Sequence, residues 1–231
     1  MARKIGFEKA RRRARAAFSA IRPFLRFQRY ACDIGANVGG WSAVLCDEFA
    51  GVLAFEPVLR NLWHWPRGLA ERTGNLAICP VALADVDGTV DLAVNLLDYA
   101  QLHGQRRQLF AAQRLDTYNL QDVDFMKIDV DGCEAKVLAG AAETLARCRP
   151  VLFVEVKLMT EQQAAWLRCA HGYRFHARLD IDEIWLPVEW APAPVRQREV
   201  VVASPDDLAG AAGAPVLTLP EASYADCLDH Y

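Results

Sequence analysis

The sequence predicts an α/β protein with a doubly wound, mostly parallel sheet that carries helices on both faces. Short apolar segments alternate with segments of helical spacing along most of the 231 residues. The segment at 150–156 is apolar at nearly every position, as a strand buried on both faces should be. A glycine-rich turn follows the first predicted strand and opens a helix, as in many sheets of this class.

The first half of the chain begins with a basic helix. Apolar residues such as Phe7 and Phe18 recur at three- and four-residue steps over 3–28, and Pro23 is expected to break this helix near its end. After the helix, strands are predicted over 30–34, 52–55, 76–83 and 89–94, with helices over 40–49 and 58–72.

The second half continues the alternation after a segment without clear period, 95–113, which is predicted to be a loop and holds His103. Strands are predicted over 124–128, 150–156, 173–179, 183–188 and 198–203, with helices over 134–148 and 161–170. The predicted organisation is a basic arm over 1–29, one domain over 30–204 and a loosely ordered tail over 205–231.

Charge is distributed unevenly between the arm and the rest of the chain. The net charge is −3, yet residues 1–29 hold ten Lys/Arg and one acid, so the arm carries +9 and the remainder −12. Two alternatives follow: the helix packs its apolar stripe on the domain or on a second copy, or it docks on an anionic partner. Packing is favoured, because a stripe rich in alanine buries little area in a membrane surface.

The chain shows no sign of a membrane segment or a metal clip. No apolar run is long enough to span a bilayer, and the amino terminus lacks the apolar stretch of a secretory signal, so a cytoplasmic location is expected. None of the seven cysteines has a partner at the short spacing of a metal clip.

The strongest functional signal is the segment D-I-G-A-N-V-G-G, which runs from Asp33 to Gly40. Glycines let the backbone turn tightly and approach a ligand, at the strand ends where open α/β sheets bind ligands. A dinucleotide site would have glycine where Asn37 stands, and Asp33 is unfavourable beside phosphates. S-adenosylmethionine has a cationic ammonium and sulfonium, which suit that acid, and its carboxylate suits the helix amino terminus.

Glu56 supports a nucleoside-containing ligand. It ends the second predicted strand, 23 positions after Asp33, which is about the spacing of a ribose-binding acid in a nucleotide-binding βαβ unit. A carboxylate accepts hydrogen bonds only, and the two ribose hydroxyls are donors. Glu56 is therefore predicted to bind the ribose.

A second block, D-F-M-K-I-D-V-D-G-C-E from Asp124 to Glu134, is followed by V-L-A-G and P-V-L-F-V-E. Together with D-I-G-A-N-V-G and A-F-E-P, these motifs resemble the FkbM family of methyltransferases in kind and in order. The resemblance runs from about residue 30 to residue 157, and more weakly to 205. Asp131 stands where the family usually has Glu, so its carboxylate reaches one methylene less far.

The resemblance implies a Rossmann-like class I fold of seven strands, with S-adenosylmethionine over the first two. It also implies that Val81 and Ala82, at the end of the third predicted strand, lie beside the adenine and that Asp129 faces the methyl group. The residues that would hold the methionine end are Asp33, Gly35, Asn37 and Gly39.

Methyl transfer to a hydroxyl needs positioning and a group that accepts the proton. Asp129 and Glu155 end neighbouring strands, so they are the predicted catalytic residues that flank the acceptor, and Lys127 should lie on the same face as Asp129. His103 is a weaker candidate. Carboxylates also suit Mg²⁺, but their spacing here is weak evidence and no metal is predicted.

The predicted activity is S-adenosylmethionine-dependent methylation. By analogy with the family, the acceptor is a hydroxyl of a sugar or natural-product-like small molecule, and the absence of an N-P-P-Y-like tetrapeptide favours oxygen over nitrogen. The alternatives are a methyltransferase acting on nucleic acid or peptide, a nicotinamide-dependent oxidoreductase, and a non-catalytic binding module with the same fold. The intact cofactor loop argues against the last of these.

Overall fold

A computed structural model describes residues 2–94, 106–156 and 161–190. Short 3₁₀ turns at Arg22–Phe24 and Leu115–Tyr118 accompany the helices and strands of these ranges. In chain order those elements are α1 (Ala2–Ile21), β1 (Tyr30–Ile34), α2 (Gly40–Glu48), β2 (Gly51–Phe55), α3 (Leu59–Leu62), α4 (Leu69–Thr73), β3 (Leu76–Cys79), β4 (Ala82–Leu83), β5 (Gly88–Val94), β6 (Arg106–Gln113), β7 (Val123–Ile128), α5 (Glu134–Ala139), α6 (Ala142–Cys148), β8 (Val151–Glu155), α7 (Glu161–His171), β9 (Tyr173–Leu179) and β10 (Asp182–Pro187).

The main sheet contains seven strands in the order β3-β2-β1-β7-β8-β10-β9. The first five are parallel to their neighbours, and β10 runs antiparallel to both β8 and β9. The strand order reverses at β1, so the carboxyl ends of β1 and β7 lie side by side at the switch point, where sheets of this kind bind ligands. The predicted fold, a doubly wound and mostly parallel seven-stranded sheet of Rossmann type, is confirmed.

A second, three-stranded sheet (β4-β6-β5) corrects two predictions. The predicted loop over 95–113 is wrong at Arg106–Gln113, which pairs antiparallel with the whole of β5, and residues 95–105 with His103 lie outside the described residues. The third predicted strand, 76–83, is two strands. Pro80 interrupts it because proline cannot donate to a ladder, and Ala82–Leu83 pairs with β6 instead.

Two predicted helices are each divided into shorter ones. Helices α3 and α4 replace the single helix predicted over 58–72, with Pro66 between them. The helix predicted over 134–148 is divided at Gly140, where a Cβ would lie 1.9 Å from the Ala84 carbonyl oxygen, so the chain passes close to the second sheet. The strand predicted over 198–203 and the tail over 205–231 lie outside the described residues.

Helix α1 packs on the domain, as the favoured alternative for the basic arm requires. Phe18 and Ile21 are fully buried, and Phe18 makes edge-to-face contacts with Phe49 and Phe125 in the core. The helix ends at Ile21, before the 3₁₀ turn that contains Pro23, and therefore earlier than predicted. Arg15 pairs with Asp47 and Glu48 of α2, so part of the basic charge is compensated within the domain. Among the described helices, none has the length and apolar character that crossing a membrane requires.

Candidate active site

The loop after β1 is held tightly between its two neighbouring strands. Gly35, Asn37 and Gly39 all have positive φ, at 75°, 48° and 81°. A Cβ on Gly35 would lie 1.9 Å from the Asp129 carbonyl oxygen, so only glycine fits there. The amides of Gly35 and Ala36 both donate to the Phe55 carbonyl oxygen, at 3.0 Å each. The loop is therefore fixed to the end of β2 on one side and to the end of β7 on the other.

Glu56, one residue past β2, is buried and anchors this loop. Its carboxylate accepts hydrogen bonds from the Asn37 amide (2.8 Å), the Val58 amide (2.8 Å) and the Asn61 side-chain amide (3.2 Å). Burial raises the pKa of Glu56, although these hydrogen bonds act to lower it. A carboxylate offers about four acceptor positions, so one remains for a ligand donor. Glu56 lies where a ribose-binding acid is expected, and its ribose role stays a prediction.

Trp65 braces the loop from the outside, a role that sequence reasoning missed. Its indole nitrogen donates to the Asn37 carbonyl oxygen at 2.7 Å. A Cβ on Gly39 would lie only 2.6 Å from the indole ring, so the ring and the loop backbone are in close contact. Nothing in the local pattern separates Trp65 from Trp63, whose surface is 68% exposed.

Asp33 is enclosed beneath the loop. Its carboxylate accepts a hydrogen bond from the Ser42 hydroxyl at 2.6 Å and lies 3.5 Å from the Lys127 ammonium. With no exposed surface, it faces a cation of its own chain rather than open space. Asp33 thus supports the loop from below, together with Ser42 and Lys127, and its predicted role at the methionine end stays a prediction.

Lys127 connects the loop to the predicted catalytic acid Asp129. Its ammonium donates to the Gly35 carbonyl oxygen at 2.7 Å and lies 3.3 Å from the Asp129 carboxylate. Burial lowers the pKa of Lys127, but Asp129 and Asp33 outweigh that effect and raise it. The side chain of Asp129 is 45% exposed and that of Lys127 only 4%, so the carboxylate lies at the surface and its cation lies buried beneath it.

Glu155, the second predicted catalytic residue, ends β8 and is largely buried. Burial and the nearby carboxylates of Asp129, Glu134 and Asp131 raise the pKa of Glu155 to about 7. Its direct partner in the antiparallel register is Asp182, the first residue of β10. The sequence analysis missed Asp182, because the strand was predicted to begin one residue later and its pairing with β8 is a long-range contact.

The segment after β7 is shaped by Glu134. Its carboxylate accepts hydrogen bonds from the Val130 and Gly132 amides, at 3.1 and 3.0 Å, and is therefore committed to holding the turn. Asp131 is exposed in that turn with φ 51°. Within residues 2–94, 106–156 and 161–190, no three His, Cys, Asp or Glu side chains are grouped to hold a metal ion.

Val81 and Ala82 lie beyond the end of β3 rather than in it, which corrects their predicted position. The Val81 amide donates to the Cys79 carbonyl oxygen at 2.9 Å as the chain turns towards the second sheet. Ala82 is buried at the start of β4, and Val81 is half-buried. The Glu56 amide donates to the same Cys79 oxygen, so this turn is adjacent to Glu56. The predicted contact of Val81 and Ala82 with the adenine stays a prediction.

Comparison with known proteins gives one family and a set of similar structures. The family model described as the methyltransferase FkbM domain matches residues 33–175. An FkbM methyltransferase from Methylobacillus flagellatus KT aligns with a TM-score of 0.53 and 18% identity, over 70% of this chain and 44% of that chain. The chain thus spans less than half of that protein, and at this identity the likeness shows the fold.

Two other similar structures have lower scores. A precorrin-6y C5,15-methyltransferase from Geobacter metallireducens GS-15 aligns with a TM-score of 0.43 and 16% identity, over 74% of this chain and 86% of that one. A SAM-dependent methyltransferase from Aquifex aeolicus aligns with a TM-score of 0.42 and 12% identity, over 73% and 87%. A comparison of the sequence with curated proteins finds no match.

Proposed function

Because the chain belongs to the FkbM methyltransferase family, whose domain matches residues 33–175, we propose that it transfers a methyl group from S-adenosylmethionine to a hydroxyl of a small molecule. The observation that carries this proposal is the strained loop after β1, closed from the side by Glu56. We expect a sugar or natural-product-like acceptor by analogy with the family.

The residues around the loop fit the cofactor. Gly39 precedes α2 and has a left-handed backbone conformation. No side chain caps the helix, so the first amides of α2 are available to a carboxylate. Glu56 retains an acceptor position suited to a ribose hydroxyl. When bound, S-adenosylmethionine supplies a methyl group on a positively charged sulfur, a good leaving group. Val81 and Ala82 would line the adenine side.

The acceptor would bind beyond the ends of β7 and β8, between Asp129 and Glu155. These side chains would orient the hydroxyl and accept its proton, which positioning and general-base catalysis both require. Asp129 is half exposed and Glu155 is largely buried, so the acceptor hydroxyl would move from solvent into an acidic environment. The alternatives remain a nucleic acid or peptide acceptor and a non-catalytic binding module.

Calorimetric titration with S-adenosylmethionine, S-adenosylhomocysteine and NAD tests the cofactor part of the proposal. The first two are expected to bind and NAD is not. The acceptor class is tested by incubating the protein with methyl-labelled S-adenosylmethionine and separate panels of sugars, small alcohols, RNA and peptides, followed by mass spectrometry. NAD binding without S-adenosylmethionine binding would overturn the proposed cofactor. Labelled RNA or peptide with no labelled small hydroxyl would overturn the acceptor class.

A further inference from the structure

Lys127 connects the two sides of the candidate site through one buried ammonium. On the side of the loop after β1, it donates to the Gly35 carbonyl oxygen at 2.7 Å and lies 3.5 Å from the Asp33 carboxylate. On the side of β7, it lies 3.3 Å from Oδ2 of Asp129. A single side chain therefore holds both the loop and the acid that follows β7.

The backbone places Asp129 against the same loop. Its amide donates to the Ile34 carbonyl oxygen at 3.1 Å, and a Cβ on Gly35 would lie 1.9 Å from its own carbonyl oxygen. The backbone does not fix the carboxylate, because the side chain can rotate and is 45% exposed. The ion pair with the buried Lys127 restrains this exposed carboxylate and turns it towards the loop.

Other acids act on the Asp129 carboxylate in the opposite direction. Burial first, and then Asp129, raise the pKa of Glu155 and that of Asp182, each to about 7, so the charge of Asp129 is felt at both. Like charges repel one another, and water screens that repulsion. Without the ammonium of Lys127, the half-exposed Asp129 side chain would therefore turn away from these acids and into solvent.

We propose that Lys127 is a positioning residue that holds the Asp129 carboxylate at the loop after β1, so that Asp129 recognises the positive charge of the methyl donor. The inference rests on the proposed S-adenosylmethionine cofactor. This donor carries a sulfonium, whereas its product S-adenosylhomocysteine has lost one methyl group and the positive charge. A carboxylate held beside the sulfur therefore favours the donor over the product, and this preference promotes the exchange of spent product for fresh donor.

A positioning role and a simple charge effect of Lys127 predict opposite changes. If Lys127 positions Asp129, its removal releases the carboxylate, and the preference for the donor falls. If Lys127 acts only as a nearby positive charge, it repels the sulfonium, and its removal raises that preference. A general loss of stability would weaken both ligands alike, because they share the adenosine and amino-acid parts, and would leave the preference unchanged.

Calorimetric titration of the full chain with both ligands, at one pH and one salt concentration, separates these cases without an acceptor. The quantity compared is the Kd of S-adenosylhomocysteine divided by the Kd of S-adenosylmethionine. Asp129→Asn should lower this ratio by about 3- to 10-fold, and Lys127→Met should lower it by a similar factor. The double variant should lower it no further, because Lys127 acts through Asp129.

Arg29→Met is the matched control. Arg29 forms an ion pair at 2.6 Å with Asp124, a 2% exposed side chain near the start of β7, at the opposite end from Asp129. Its loss should destabilise the fold and leave the ratio unchanged. If Lys127→Met does not fold, Lys127→Met combined with Asp33→Asn replaces it, and its ratio is compared with that of Asp33→Asn alone.

Three results would overturn the inference and leave the proposed function intact, provided that both ligands bind the unaltered protein. The first is a ratio in Lys127→Met that equals or exceeds that of the unaltered protein. The second is an unchanged ratio in Asp129→Asn, and the third is a further fall in the double variant. If neither ligand binds the unaltered protein, the proposed function fails as well.

Discussion

Replacing Lys127 by methionine removes the cation that the loop and two carboxylates share. Lys127 is 3% exposed and Asp33 is fully buried, so after the change Asp33 keeps one hydrogen bond, from Ser42, and loses its counter-charge. Breaking a buried ion pair by removing one partner costs about 3–5 kcal/mol, because the remaining charge is left uncompensated. The Gly35 carbonyl oxygen also loses its donor at 2.7 Å.

This loss of stability should be visible in thermal unfolding. A destabilisation of 1 kcal/mol lowers the melting temperature of a domain of 150–250 residues by about 2–4 °C, so Lys127→Met is expected to melt roughly 6–20 °C lower. The double variant Lys127→Met with Asp33→Asn removes both charges of the pair and leaves neither of them buried without its partner. It should therefore recover most of the lost stability, and a double-mutant cycle measures the coupling.

The measurement is circular dichroism during heating, with urea unfolding as a second method at constant pH. A melting temperature within about 2 °C of the unaltered protein would show that the Asp33–Lys127 contact contributes little. A double variant no more stable than Lys127→Met would show that loss of packing, and not an uncompensated charge, explains the effect. Either result would refute the reasoning that Lys127 is the electrostatic support of the loop.

Three further predictions concern the cofactor loop and α1. Glu56→Ala should weaken S-adenosylhomocysteine binding by about 1–3 kcal/mol, or about 5- to 150-fold by calorimetry. Glu56→Gln keeps one acceptor oxygen and should lose less affinity. An affinity of Glu56→Ala equal to that of the unaltered protein would count against the ribose contact. Gly39→Ala places a Cβ 2.6 Å from the Trp65 ring, at a residue whose φ is 81°. It should abolish detectable S-adenosylhomocysteine binding and leave the far-UV circular dichroism spectrum unchanged. Normal binding would refute a rigid loop. Arg12 and Arg13 are exposed on α1. Replacing both by Glu should keep the melting temperature within about 2 °C of that of the unaltered protein and remove any salt-dependent binding to anionic vesicles or RNA. A large loss of stability would show that these arginines support the fold.

The main sheet was predictable because its signals are local. The strands at 30–34 and 151–155 are short apolar runs with clear boundaries, and both were predicted within one residue. The second sheet was not predictable in full. Arg106–Gln113 has polar residues at both ends and no regular alternation, and it forms a strand because β5 and β4 supply its hydrogen-bond partners. A partner distant in sequence leaves no mark on the pattern of the segment itself.

The residues of the candidate site also fall into two groups, those that local sequence patterns could place and those that depend on long-range contacts. Glu56, Asp129 and Glu155 could be placed from the sequence, because each ends or directly follows a strand whose carboxyl end lies at the same edge of the sheet. Trp65 and Asp182 could not, since their roles depend on contacts across the loop and across the antiparallel pair.

The preference for a methyl donor over a phosphate-bearing cofactor stays a prediction, and the structure supports it through other residues than the sequence does. The sequence assigns the unfavourable negative charge to Asp33, yet in the structure Lys127 compensates that carboxylate beneath the loop. Among the described residues, Lys127 is the only buried lysine or arginine, and it serves Asp129 as well. One cation therefore stands against the acids at 33, 129, 155 and 182, and the excess negative charge lies towards β8 and β10. A sulfonium close to this edge would be attracted and a pyrophosphate repelled, so the carboxylates of Asp129, Glu155 and Asp182, rather than Asp33, support the proposed methyl donor over NAD.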